Sequence, residues 1–135
     1  MTQKEMDCVL KAHWSLPEGC RNEPAKEGQV QNFETSFGPI PRDYRWYLLN
    51  CGGGVIGSDW IDGISELAET HRKVRDEHTA LQDFFAIGWD GCGNPYGFDV
   101  ATGGIVSEDH QFGGFHKVAG DFYGLLRAKG LVEDV

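Results

Sequence analysis

No run of apolar residues in this chain approaches the roughly 18 needed for a membrane-spanning helix. The opening Met-Thr-Gln-Lys-Glu-Met-Asp lacks the apolar core of a secretory signal. Cysteine is sparse: Cys8, Cys20, Cys51 and Cys92 form no CxxC pair and no paired spacing. With no signal segment, they read as free thiols in a reducing cytoplasm rather than a disulfide framework. The histidines His13, His71, His78, His110 and His116 give no HExxH and no HxH, so a zinc site has no support. Asp109-His110 with His116 reads as exposed hairpin residues before it reads as a ligand set. Cys51 falls on the apolar face of a helix and Cys92 in a turn, as filler and turn residue rather than nucleophiles. Gly52-Gly53-Gly54 lacks the Lys-Ser/Thr of a phosphate loop and stops a helix instead. The expectation is a protein with no catalytic residue, no cofactor and no metal, and therefore not an enzyme.

Basic side chains are missing from one long stretch. Between Asp76 and His116 there are seven acids (Asp76, Glu77, Asp83, Asp90, Asp99, Glu108, Asp109) and no Lys or Arg. Residues 1–45, by contrast, mix seven acids with six bases, and the whole chain carries a formal charge of −9. Such a surface repels nucleic acid and anionic membrane, so direct binding to either is not expected. It serves solubility, or it attracts a basic partner; a protein that itself binds nucleic acid is a natural match.

The residues present predict a single α+β domain. Asp90-Gly91-Cys92-Gly93-Asn94 and Ala101-Thr102-Gly103-Gly104 separate three short runs that pair as an antiparallel meander near 84–89, 95–100 and 104–108. Asp-Gly and Gly-Gly supply the positive-φ residues tight hairpins need, and at least one of Gly91, Gly93 and Gly103 should adopt that conformation. Tyr96, Phe98 and Val100 alternate as on a half-buried strand. Val55-Ile56 and Trp60-Ile61 are short strand candidates. Lys4 to Trp14 carries Met6, Val9, Leu10 and His13 at helical spacing, followed by a Pro- and Gly-bearing loop over 15–28. Val30, Phe33 and Phe37 share a helical face. Pro41 opens a helix over 41–51, whose stripe is Tyr44, Tyr47, Leu48 and Cys51. Asp62 is placed as N-cap of a helix burying Ile64, Leu67, Ala68 and His71. A last helix is expected over 118–129, burying Val118, Phe122, Leu125 and Leu126.

Three blocks carry a family likeness. They are Phe33-Glu34 through Phe37-Gly38, Ile40-Pro41-x-Asp43-Tyr44-Arg45-x-Tyr47-Leu48-Leu49-Asn50-x-Gly52-Gly53, and Gly88-Trp89-Asp90-Gly91-x-Gly93-Asn94-Pro95 running on through Phe98-Asp99, Gly104-Ile105-Val106 and Asp109-His110. With a weaker Val118-Ala119-x-x-Phe122, this order and spacing resembles the SUKH superfamily, which includes the fungal Smi and Knr cell-wall regulators. Ile40 and Tyr47 stand where Leu and Phe are usual. The likeness places a SUKH-like domain at 30–130 and leaves residues 1–29 as an N-terminal extension of short helix plus loop.

The resemblance implies a function. Many bacterial SUKH domains are thought to be immunity proteins that bind and neutralise toxin domains, often nucleases, of polymorphic toxin systems. The expectation is a non-catalytic, cytoplasmic immunity protein whose partner is a basic toxin domain. The alternative is a regulatory or scaffold domain like the fungal members. Those carry the domain within much longer chains, which favours the bacterial role for a chain of 135 residues. The expected partner-binding residues are Asp59, Trp60, Asp62, Trp89, Asp90, Asp99 and Asp109. The acids supply an encounter field, and Trp60 and Trp89 are read either as cover for the core or as anchors.

Overall fold

Each tight connection in the second half of the chain is closed by an aspartate. The computed structural model describes residues 1–77, 83–109 and 111–132; His78 and His110 lie outside the described residues. Six strands, β1 (Gly54–Ile56), β2 (Asp59–Ile61), β3 (Phe84–Trp89), β4 (Pro95–Asp99), β5 (Ile105–Glu108) and β6 (Phe115–Ala119), pair in chain order, every pair antiparallel. After β3, Asp90 Oδ1 accepts from the backbone N–H of Cys92 and Asn94. After β4, Asp99 Oδ1 accepts from Ala101, and after β5 Asp109 Oδ1 accepts from Gln111 and Phe112. In each loop a glycine N–H returns to the same aspartate's carbonyl: Gly93 to Asp90, Gly103 to Asp99, Gly113 to Asp109. Gly93 and Gly103 have φ of 83° and 78°, as the hairpin reading requires.

The sheet is coiled. Phe84 on β3 and Phe115 on β6 have ring centroids 5.2 Å apart, although two strands lie between them. Neighbouring strands are 4.7–4.9 Å apart, so a flat sheet would hold these rings far beyond contact. Irregular register between Ala86 and Gly88, and again between Ile105 and Val106, supplies the bend.

Among the described residues, five α-helices accompany the sheet. α1 (Gln3–Trp14) opens on a capping box in which Thr2 Oγ1 accepts from the Glu5 N–H and Glu5 Oε1 from the Thr2 N–H. It buries Val9 and His13. α2 (Glu27–Phe37) buries Val30 and Phe33. α3 (Arg42–Asn50) buries Tyr44, Tyr47 and Leu48, with Cys51 just past its end, so the expected stripe is the buried one. Pro41 is the residue before α3 rather than within its first turn. α4 (Ile64–Glu77) and α5 (Phe122–Ala128) complete the set. Aromatic contacts tie them to the sheet. Phe85 meets Phe33 and Tyr44, and Phe122 meets Tyr44 and Phe98, with centroids 6.0 to 6.3 Å apart. Each such fully buried side chain contributes about 1.5–3 kcal/mol.

Three further expectations need correction. The last helix does not begin at Val118, which lies in β6; Asp121 caps α5 by accepting from the Gly124 N–H at 2.7 Å, and that fixes the helix start at Phe122. Val100 falls just past β4 and is 55 % exposed, because the Asp99 turn carries it out of register with Tyr96 and Phe98. Asp62 is not the N-cap of α4. Gly63 holds that place, its carbonyl accepting from the Glu66 and Leu67 N–H, while Glu66 Oε1 accepts from the Gly63 N–H.

The first 26 residues pack on the same core. Ala25 N–H donates to Leu48 O and Asn22 N–H to Gly53 O, and Arg21 bridges to Gly54. This approach needs glycine: a Cβ on Gly52 (φ 98°) would stand 2.1 Å from the Glu23 carbonyl oxygen.

Candidate partner-binding site

The register of β2 on β3 sets Trp60 directly opposite Trp89, and directly opposed residues project from the same face of a sheet. Both indoles are fixed by α4. Trp60 Nε1 donates to Glu66 Oε2 at 2.7 Å and Trp89 Nε1 to Thr70 Oγ1 at 3.0 Å. Glu66 is itself held, its Oε1 accepting from Asn22 Nδ2 at 2.8 Å and from the Gly63 N–H at 3.2 Å. Fixing both rings removes the rotamer entropy that an anchoring side chain otherwise loses on binding.

Between the indoles and α4 runs a groove of about 870 Å³. Asp62, Glu66, Glu69, Thr70 and Lys73 line it together with Trp60 and Trp89, and Cys92 and Gly93 of the β3–β4 hairpin form its rim. Lys73 Nζ lies 5.5 Å from the centre of the Trp89 ring, a cation over an aromatic face. Asp62 is the unusual member. It is 2 % exposed, and its Oδ2 has no hydrogen-bond partner among the described residues. Burial pushes its pKa up to about 7; the Thr70 side chain works against the rise and the nearby Glu66 charge adds to it. Its backbone is pinned, the carbonyl accepting from Tyr44 Oη at 2.7 Å and the N–H donating to Ile87 O.

Of the seven residues expected to bind a partner, the structure brings Trp60, Asp62 and Trp89 together in this groove and places Asp90 in the hairpin at its rim. Asp99 and Asp109 sit at the other two hairpins, each committed to its own turn. Asp109 is held below the ordinary carboxylate range chiefly by the Phe112 N–H, with Gln111 and His116 adding to it. Asp59 is elsewhere. It is buried, with its Oδ2 2.5 Å from Lys129 Nζ. The pair is close enough for charge attraction but not aligned as a hydrogen bond.

Sequence reasoning did not find Asn22, Glu66, Glu69, Thr70 or Lys73. A signal was available for the last four: they recur at helical spacing on α4, opposite the Ile64, Leu67, Ala68 and His71 stripe. Asn22 carried none, because its role depends on where the first 26 residues pack. Among the described residues, no group of three or more His, Cys, Asp or Glu is placed to hold a metal ion. No helix of the described residues is long and apolar enough to cross a membrane.

No curated protein matches the chain. A family does: the match runs over residues 24–128, taking in α2 through α5 and the whole sheet. It therefore includes the two tryptophans, the groove they line with α4 and the three aspartate-closed hairpins, and the chain belongs to the SMI1 / KNR4 family (SUKH-1).

Proposed function

We propose that the protein is a non-catalytic immunity protein, acting in the cytoplasm, that binds and neutralises a basic toxin domain of nuclease type. The observation that carries this reading is the open groove in which two tryptophans from neighbouring strands are locked by α4 amid carboxylates. Rigid, half-exposed indoles make binding hot spots, and surrounding negative charge speeds encounter with a basic partner. Family membership supports a protein partner. The acidic balance of the chain supports one with a nucleic-acid-binding surface, since such a surface is basic.

Neutralisation in this reading is steric and electrostatic. The immunity protein occupies the toxin's cationic substrate cleft and performs no chemistry. The test is co-expression of this chain with the toxin domain encoded by the adjoining gene. Growth arrest relieved by the wild-type chain, and not by a Trp60→Ala/Trp89→Ala variant that still folds, supports the proposal. Arrest that persists beside abundant folded wild-type protein removes it, and would leave a regulatory or scaffold role.

A further inference from the structure

The groove has a chemistry more specific than negative charge. Trp60 and Trp89 line it, the Trp89 ring with its face toward Lys73 Nζ, together with the Asp62 carboxyl, which is almost wholly buried with one oxygen unpartnered among the described residues, and its helix side adds Glu66 and Glu69. Three carboxyl groups therefore stand against one ammonium, that of Lys73. Glu66 is consumed by its three donors, whereas Glu69 is 77 % exposed and, among the described residues, held only by Arg72 at 3.6 Å. A neutral apolar ligand would leave Asp62 unanswered, and an anion would be repelled. A flat cation satisfies both kinds of wall.

Guanidinium fits better than ammonium. It is planar, stacks on aromatic faces and is weakly hydrated, so it loses less on entering a half-dry cleft. Lys73 over the Trp89 ring shows that a cation is already accommodated there. From the solvent side of α4, Lys73 can swing away when a better cation arrives.

We infer that the Trp60–Trp89 groove is an arginine-binding site, which receives one exposed arginine side chain of the protein partner against the indoles and above Asp62. This rests on the protein-binding reading and names the group that the partner must present.

The test uses the full chain and a defined probe, the capped tripeptide acetyl-Gly-Arg-Gly-amide, with its neutral citrulline counterpart as control. The chain has four indole N–H groups, of Trp14, Trp46, Trp60 and Trp89, each a separate signal in a ¹⁵N–¹H spectrum. Trp60→Phe and Trp89→Phe assign the two that matter. The arginine peptide should move the Trp60 and Trp89 signals saturably, with a dissociation constant on the order of 10 mM, and leave Trp14 and Trp46 in place. At about pH 8, where the Asp62 carboxyl has lost its proton, the citrulline peptide should bind at least about threefold more weakly, and Asp62→Asn or Glu69→Gln should weaken the arginine peptide by a similar factor. Glu69 is exposed, so its variant keeps the test available if Asp62→Asn fails to fold. Signals that stay still to about 50 mM peptide, equal shifts with citrulline, or shifts shared by all four indoles would overturn the assignment. The two readings fail separately. Peptide binding without toxin neutralisation removes the immunity role and keeps the arginine site; neutralisation with a flat titration does the reverse.

Discussion

Asp62→Asn should make the protein more stable at neutral pH, and the size of the gain should depend on pH. The Asp62 carboxyl is 2 % exposed, and burial lifts it from an ordinary 3.8 to about 7. At about 1.4 kcal/mol for each factor of ten, ionising it in the folded state costs roughly 4 kcal/mol relative to the unfolded chain. The sign follows from proton counting. Between the two pKa values the folded state holds the proton and the unfolded state has lost it, so this contribution is complete below pH 3.8. It drains away as pH rises through about 7. Asparagine keeps the shape and the Thr70 contact without the charge. The variant should therefore gain on wild type by about 3 kcal/mol between pH of about 4.5 and 8. His13 and His71 act in the opposite direction. Burial lowers both, so their contribution is lost as pH falls below 6.5. The difference between wild type and variant cancels them. Urea unfolding followed by tryptophan fluorescence across that range measures the gap. A gap constant to within about 1 kcal/mol would refute a strained buried carboxyl in the groove.

Gly52→Ala should cost at least about 2 kcal/mol in the same assay, from a positive φ together with the Cβ placed 2.1 Å from the Glu23 carbonyl oxygen; no loss would mean that the segment over 20–25 lifts off easily. Asp90→Asn keeps the acceptor that closes the β3–β4 hairpin and should be nearly neutral, whereas Asp90→Lys should lose about 1 kcal/mol in thermal or urea unfolding; equal losses would show that charge, not turn chemistry, is at work. Glu69→Lys, at an exposed position free of turn duty, should slow association with the toxin domain at low salt and matter little at high salt, read by surface-plasmon kinetics. Lys129→Met strands Asp59 and should cost about 2 kcal/mol, less than a wholly buried pair because Lys129 is partly exposed, and adding Asp59→Asn should recover most of it.

The elements legible in the sequence are those made by local chemistry. An aspartate followed three or four residues later by glycine closes each hairpin with bonds that span no more than five residues, so Asp90, Asp99 and Asp109 announce their turns without help from the rest of the chain. The same acids carry the negative charge of the expected encounter field, and the structure adds that each carboxylate also accepts backbone donors of its own turn. The Tyr44, Tyr47, Leu48 and Cys51 stripe is likewise local, a matter of 3.6-residue spacing.

What the tertiary structure decided is where separate segments meet. Val118 suits a helix face or a strand equally, and only pairing with β5 together with the Asp121 cap places it in β6. Asp59 and Asp62 lie three residues apart with nothing to tell them apart in sequence. Asp59 ends beside Lys129 from the far end of the chain, and Asp62 ends in the groove that the two tryptophans line. Trp60 and Trp89 are 29 positions apart, and their meeting depends on a register set by the alternation of β2, by the polar face of α4 and by the approach of Asn22. The composition determined that the surface would be acidic. The groove exists because strand pairing and helix packing, both cooperative over the whole chain, brought its walls together.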